Sequence, residues 1–178
     1  CIRDRIGIVI EQDILENQAS PVYLGIGSNL GNKRNNIELA KSNLILNNII
    51  IEKSSSYYES LSWPNTDYPR FYNIVLRVIT NLSPLELIDI CKTIEFKLGR
   101  KKRSKNAPRE CDIDIIDFNS KQMNGHLNLP HPRMHERNFV LFPLFEIDKT
   151  WKHPILKHSI KKLLLSLKNR DIRSIKQI

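Results

Sequence analysis

The chain has 178 residues, with 28 Lys and Arg against 19 Asp and Glu, a formal charge of +9. Apolar residues make up 40% and charged residues 26%, a globular balance in a chain long enough to bury one core, so intrinsic disorder along the whole length is excluded. No apolar run approaches the roughly 20 residues of a bilayer crossing. The positive surplus predicts an anionic partner: nucleic acid, an acidic membrane surface or a polyphosphate.

Residues 1–20 hold one apolar stretch, Ile6 to Ile10, followed by Glu11, Gln12 and Asp13. They read as an N-terminal extension or linker, or as the end of an upstream domain, with residues 21–178 forming one domain. A start at Cys1 rather than Met is expected of a fragment or of a chain whose leader is missing. The beginning carries no basic-then-apolar signal pattern. Cys1, Cys91 and Cys111 form no Cys-x-x-Cys pair, and the flanks of Cys91 and Cys111 are apolar, which predicts buried reduced thiols in a cytoplasmic protein.

Val22 to Ile26 read as a short buried strand running into Gly25-Ile26-Gly27-Ser28-Asn29-Leu30-Gly31. Ile37, Ala40, Leu44 and Ile45 recur at helical spacing and predict a helix from about Lys33 to Asn47. Ile49 to Ile51 and Ser54 to Tyr58 are extended, residues 61–70 form a loop with two prolines, and Phe71 to Thr80 is β-rich. Ser83-Pro84-Leu85-Glu86 is a capping box with Pro at the first helical position. The helix it opens is expected to bury Leu85, Ile88, Cys91, Ile94 and Leu98 and to stop at Gly99. A basic loop, residues 100–109, precedes a strand from Cys111 to Phe118.

The order β-α-β-β-α-β is that of a ferredoxin-like α+β fold, an antiparallel sheet with helices on one face. Extra C-terminal elements follow. Short strands fit Lys121 to Leu129, and Phe139 to Ile147 and Ile160 to Leu167 would cover the remaining faces.

Pro108-Arg109-Glu110-Cys111-Asp112-Ile113-Asp114-Ile115 carries the sharpest chemistry. Strand alternation puts Asp112 and Asp114 on one face with Cα atoms roughly 6.5 Å apart, and Cys111, Ile113 and Ile115 on the other, toward the core. Two ionised carboxylates so close repel unless a cation lies between them. Mg²⁺, alone or as a pair, suits them because it completes its shell with water and phosphate oxygens. The bland alternative is an exposed strand face with two solvated acids. Six of residues 100–109 are Lys or Arg. Beside the acids such cations would suit a triphosphate; taken alone they read as a solvated basic loop, and RNA is disfavoured because the loop has no aromatic residue.

Gly25-x-Gly27-x-x-x-Gly31 fails the dinucleotide fingerprint and is no Walker loop, so its glycines read as turn residues with Ser28 and Asn29 near a pocket. His131 and His135, in Pro130-His131-Pro132-Arg133-Met134-His135-Glu136-Arg137-Asn138-Phe139, make no zinc pattern.

Together these motifs resemble the 6-hydroxymethyl-7,8-dihydropterin pyrophosphokinase family, from about Val22 to about Leu167. The most specific piece is Pro108-Arg109-x-x-Asp112-x-Asp114-Ile115, like the family's PRxxDxDI. It is supported by Gly27-Ser28-Asn29-Leu30, by Glu95 before Leu98-Gly99-Arg100, and by Pro130-His131 ahead of Arg137 and Phe139. The resemblance implies Mg²⁺-dependent transfer of pyrophosphate from ATP to the pterin hydroxymethyl group in folate biosynthesis, releasing AMP. Asp112 and Asp114 would hold two Mg²⁺ ions bound with ATP, and Arg109 and Arg100 would be catalytic. Glu95, Arg100, Lys102, Arg109, Ile115, His131 and Arg137 would bind ATP. Ser60, Leu61, Ser62, Trp63, Phe71, Asn73 and Phe139 would form the pterin pocket. The implied partners are the two substrates, with no nucleic acid or membrane and with room for another folate-pathway enzyme on the same polypeptide. This sequence departs from the pattern at Asn106, where the family commonly has Trp, at Leu61-Ser62 in place of a Pro pair, and at Pro132 in place of an aromatic. Two competing readings remain: a basic ferredoxin-like RNA-binding domain, and another Mg-dependent phosphoryl or nucleotidyl transferase.

Overall fold

The computed structural model describes residues 21–101 and 106–178. Residues 1–20, read above as an extension, lie outside the described residues, as does Lys102. Strand β1 (Val22–Ser28) leads into helix α1 (Lys33–Leu46), which buries Ile37, Ala40 and Leu44. Asn32 starts this helix, its side chain accepting from the Asn35 N–H at 3.1 Å. Strands β2 (Ile50–Ser54) and β3 (Tyr58–Ser60) pair with the same edge of β4 (Phe71–Ile79). Ser55 bridges the gap between them: its N–H donates to the Val75 carbonyl at 2.9 Å, and its hydroxyl accepts from the Val75 N–H at 3.0 Å. The two strands are therefore one strand with a bend.

Helix α2 (Pro84–Lys97) opens on the expected capping box, with Ser83 N–H donating to Glu86 Oε2 at 2.8 Å and Glu86 N–H to Ser83 Oγ at 3.3 Å. Its buried stripe is Leu87, Cys91 and Ile94 with Glu95, whereas Leu85, expected inside, is exposed. Leu85 lies two residues before Leu87, more than half a turn around the axis, and so points away from the sheet.

Strand β5 (Asp112–Phe118) completes a sheet of order β5-β1-β4-β3, with β2 alongside β3 on β4 and every neighbour antiparallel. With β2 and β3 counted as one strand, this is the ferredoxin-like arrangement. Leu24, Ile26, Ile74, Leu76, Ile113 and Ile115 pack beneath α1 and α2 on one face. The other face carries Tyr23, Val75 and Ile116 under α3 (Asn138–Ile147) and α4 (Ile160–Leu165). Helix α5 (Asn169–Arg173) and strand β6 (Lys176–Gln177), the latter pairing with β3, end the chain. The register of β5 on β1 jumps from Leu24–Ile115 to Tyr23–Asp117, a bulge at Ile116. Asp117 meets Trp151, past the end of α3, its carboxylate accepting from Trp151 Nε1 at 2.8 Å.

Three expectations change. The glycines of the first motif are not all turn residues: Gly25 and Gly27 lie inside β1, and only Gly31, at φ +67°, sits in a left-handed turn. The stretch from Lys121 to Leu129 forms a single bridge between Met123 and Leu129 rather than strands. The helix after Ser159 ends at Leu165, short of Leu167. Cys91 and Cys111 are buried and free. Among the described residues no helix is long and apolar enough to cross a membrane.

His153 gives this fold a pH dependence. Its Nδ1 accepts from the N–H groups of Ile155 and Leu156 at 3.2 and 3.1 Å, which requires a neutral ring. Burial, then the neighbouring His135 and His158, push its pKa down to about 4. The unfolded chain protonates this ring near an ordinary value of about 6.5. The stability it contributes is therefore complete above about pH 6.5 and lost as pH falls toward 4. Urea unfolding at about pH 7 and about pH 4.5 is expected to differ by about 1–2 kcal/mol more in the wild type than in His153→Asn, which keeps an acceptor but does not titrate. Equal pH slopes would refute the assignment.

Candidate active site

The second sheet face is left open beyond the end of α3, and its residues follow from the register. Asp112 and Asp114 on β5 stand opposite Gly27 and Gly25 on β1, which stand opposite Asn73 and Val75 on β4. Phe71 shares the face with Asn73 and pairs with Ser60, while Asn73 pairs with Tyr58. Glycine makes a flat floor between the acids and the amide. A Cβ on Gly27 would come 3.0 Å from Asn73 Oδ1 and 3.3 Å from the Phe71 ring.

The two carboxylates differ in company. Asp112 accepts from Arg100 Nη1 at 2.5 Å and from Arg109 Nη1 at 3.0 Å. Burial pushes its pKa up, but Arg109 and Arg100 outweigh that and hold it below the usual carboxylate range. Asp114 has Arg137 Nη1 at 3.7 Å and His131 Nε2 at 4.0 Å. Burial, and then the charge of Asp112, push it above the usual range against the pull of His131, Lys92 and Arg137. His131 Nδ1 accepts from the Arg133 N–H at 3.2 Å, and its Nε2 lies 3.4 Å from Arg137 Nη1 on the side facing Asp114.

This donor set fits Mg²⁺. Two carboxylates share a face, and one is destabilised by the other's charge, a situation a divalent cation relieves. Among the described residues no group of three or more His, Cys, Asp or Glu is placed to hold a metal ion. Water and phosphate oxygens would fill the remaining positions, the coordination this hard ion favours.

Behind the acids lies a buried support that sequence reading cast differently. Glu95, expected among the ATP ligands, is only 1% exposed. Its carboxylate accepts from the Ile113 N–H at 2.7 Å and from Lys92 Nζ at 2.9 Å, and pairs with Arg100 Nη1 at 2.5 Å. These contacts tie it to Arg100 and to the backbone between the two aspartates. Ile115, also expected to meet ATP, turns its side chain into the helix-covered core at 3% exposure. A nucleotide could touch only its backbone.

Of the expected pterin residues, the register brings together Ser60, Phe71 and Asn73. Asn73 Nδ2 donates to Ser60 Oγ at 2.9 Å, leaving Oδ1 over Gly27. Ser62 is buried and donates to the Pro69 carbonyl at 2.6 Å, so it braces the 61–70 loop. Leu61 is half-buried beside it. Trp63 is 62% exposed, and the Arg133 guanidinium lies 4.7 Å above its ring. Phe139 sits at the start of α3 with the Arg137 guanidinium 5.5 Å above its ring. Arg133 was not anticipated, since nothing in a linear pattern pairs it with Trp63.

Asn29 was seen only as a pocket-lining residue, and it does more. Buried at 2% exposure, it accepts through Oδ1 from the Arg109 N–H at 2.8 Å and donates through Nδ2 to Ser62 Oγ and the Pro69 carbonyl, both at 3.1 Å. Its own N–H donates to the Arg109 carbonyl at 3.1 Å. One side chain thus joins the arginine that enters β5 to the loop over the glycine floor.

Paired carboxylates, one flanked by two arginines and the other by an arginine and a histidine, beside a flat polar-and-aromatic floor, define a site of the metal-assisted phosphoryl-transfer class. A sequence model of the 7,8-dihydro-6-hydroxymethylpterin-pyrophosphokinase family matches residues 23–149. The chain is 40% identical over 141 residues to a 2-amino-4-hydroxy-6-hydroxymethyldihydropteridine pyrophosphokinase of Aquifex aeolicus, covering 79% of this chain and 88% of that protein. It is 37% identical over 165 residues to a folic acid synthesis protein of Pneumocystis carinii, covering 92% of this chain but only 22% of that protein. A crystal structure of Plasmodium falciparum HPPK-DHPS with pterin and p-hydroxybenzoate shares the fold, with a TM-score of 0.68 at 17% identity over 91% of this chain and 47% of that one. The chain belongs to the 7,8-dihydro-6-hydroxymethylpterin-pyrophosphokinase family.

Replacing Asn29 by Ala strips partners from the partly buried Arg109 N–H and from the buried Ser62. The expected cost is about 2–4 kcal/mol in urea denaturation. A loss below about 0.5 kcal/mol, the level of an ordinary surface change, would show that the joint carries no strain.

Proposed function

We propose that this domain transfers pyrophosphate from ATP to the hydroxymethyl oxygen of 6-hydroxymethyl-7,8-dihydropterin, giving the pterin diphosphate and AMP. The observation that carries the reading is the register itself: Asp112 and Asp114 lie one glycine strand away from Asn73 and Phe71. A nucleotide's phosphates at the acids and a flat heterocycle on the floor would therefore meet along one sheet face.

The pterin hydroxyl oxygen attacks the β-phosphorus of ATP. A new O–P bond forms, the bond from that phosphorus to the α,β-bridging oxygen breaks, AMP leaves with that oxygen, and the hydroxyl proton is lost to solvent. Asp112 and Asp114 would hold Mg²⁺, two ions in this reading, which when bound neutralise phosphate charge. Arg109 and Arg100 stand beside Asp112 and Arg137 and His131 beside Asp114, so both ends of the acid pair present donors to phosphate oxygens. Lys102 is assigned to ATP from the sequence alone. Asn73 offers Oδ1 to the hydrogen-bonding edge of the ring, while Phe71 and Phe139 supply flat apolar surface. Leu61 and Trp63 border the ring on the loop side, and Ser60 and Ser62 hold the backbone that faces it. No side-chain nucleophile is required, so positioning and charge neutralisation supply the rate. We place the reaction in the cytoplasm, in keeping with the free thiols of Cys91 and Cys111. By analogy with the folic acid synthesis protein it resembles, the domain would work beside other folate-pathway activities.

The test is incubation with ATP, Mg²⁺ and the hydroxymethyl-dihydropterin, followed by nucleotide analysis. AMP is expected; ADP would mean a simple kinase, and no nucleotide turnover would defeat the reading. Asp112→Ala and Asp114→Ala are each expected to stay folded and lose roughly 100-fold or more of turnover. A rate near wild type in either would remove that residue from the site. Gly27→Ala is expected to raise the KM for the pterin by about tenfold or more by crowding Asn73 and Phe71, a loss about equal to that of one polar contact; an unchanged KM would mean the ring does not rest there.

A further inference from the structure

Residues 168–178 lie past the stretch that matches the family, residues 23–149, yet they touch both sides of the pterin pocket. One side is the sheet, with Ser60 on β3 and Phe71 and Asn73 on β4. Here β6 adds a strand to the outer edge of β3, with Lys176 opposite Glu59 and Gln177 opposite Tyr58. The Ile178 N–H extends the contact, donating to the Tyr57 carbonyl at 2.9 Å.

The other side is the first turn of α3, where Asn138 stands between Arg137 and Phe139. Asn138 Nδ2 donates to the Asp171 carbonyl at 2.6 Å and to Ser174 Oγ at 3.1 Å. Ser174 Oγ donates in turn to the Asp171 carbonyl at 2.9 Å. Asn138 Oδ1 accepts from the Phe139 N–H at 2.7 Å. The residue is 9% exposed, so water cannot readily replace these partners.

The two ends of α3 are held by different means. Near its C-terminus, Glu146 accepts directly from the Tyr58 hydroxyl at 2.8 Å and from Ser56 Oγ at 2.8 Å, both beside β3. At its N-terminus, Arg137 provides no side-chain cap. What ties that end to the rest of the domain through the side chain of Asn138 is the C-terminal segment.

We infer that residues 168–178 form a strap that sets the distance between the sheet side and the helix side of the pterin pocket, with Asn138 as the positioning residue for Phe139. This rests on the pterin reading given above. A ring held between two surfaces is sensitive to their spacing, and a shift of about 1 Å can cost a large factor in productive binding. The ATP phosphates, which bind at β5 and β1, are remote from the strap's anchor on β3.

Asn138→Asp separates the two jobs of this residue. A carboxylate still accepts from the Phe139 N–H but cannot donate to Asp171 or Ser174. In this 178-residue chain it is expected to stay folded with a melting temperature lowered by several degrees, to raise the pterin KM about three- to tenfold, and to leave the ATP KM within about twofold. Ser174→Ala, which removes the hydroxyl that accepts from Asn138 and donates to the Asp171 carbonyl but leaves the bond from Asn138 to Asp171, is expected to raise the pterin KM about twofold and carries the test should Asn138→Asp fail to fold. An unchanged pterin KM in a folded variant overturns the strap. So does an equal rise in both KM values with a lowered melting temperature, which marks a merely structural contact. A wild-type chain without turnover on the pterin overturns the underlying reading and the strap with it.

Discussion

Two carboxylates one residue apart on the same strand face are the constraint that organises this domain. Like charges at that spacing raise one another's proton affinity, and the structure answers the two acids differently. Asp112 is satisfied from within the protein by Arg100 and Arg109. Among the described residues, Asp114 is met at longer range by Arg137 and His131. The asymmetry leaves one acid committed to orienting arginines and the other predisposed to a cation that arrives with its own oxygen ligands. Both guanidiniums on Asp112 are also the natural partners of phosphate, so ligand binding would exchange one anion for another without exposing bare charge.

Holding such a cluster rigidly requires buried polar groups with every partner in place. Glu95 does this from below, spending its oxygens on Arg100, Lys92 and the backbone between the acids. Asn29 does it from the side, using both ends of its amide to join Arg109 to the loop above the floor. Each is an arrangement in which removing one group strands several others, so its cost of loss exceeds that of a single hydrogen bond. The floor itself is built by omission: Gly25 and Gly27 leave the space that a side chain in mid-strand would fill.

Much of this was legible in the sequence because it depends on local periodicity. The helix stripes, the capping box at Ser83 and the shared face of Asp112 and Asp114 each follow from spacings of two, three or four residues. What escaped depends on register between distant strands or on three-dimensional packing. Gly25 and Gly27 looked like turn residues, since nothing in Gly-x-Gly announces a strand whose neighbours need the room. Glu95 and Ile115 sit at positions the motif makes conspicuous, yet α2 and β5 turn both side chains inward. The bond from Asn29 to Arg109 spans 80 positions, and no one-dimensional pattern encodes it.

The charge of +9, which on composition alone fitted RNA as well as a triphosphate, is resolved by where the aromatic and acidic groups fall. A sheet that reads bases offers exposed rings free of acids. Here Tyr72 turns to the helix-covered face, where Lys33 covers its ring at 4.1 Å and Tyr57 meets it edge-on. Phe71, on the open face, shares that face with Asp112 and Asp114, whose charges would repel a polynucleotide backbone. The basic residues are best understood as a field that draws a compact polyanion into the cleft. In the proposed reading the aspartates would then set the terms on which it can stay: accompanied by a cation, and short enough to lie between Arg100 and Arg137.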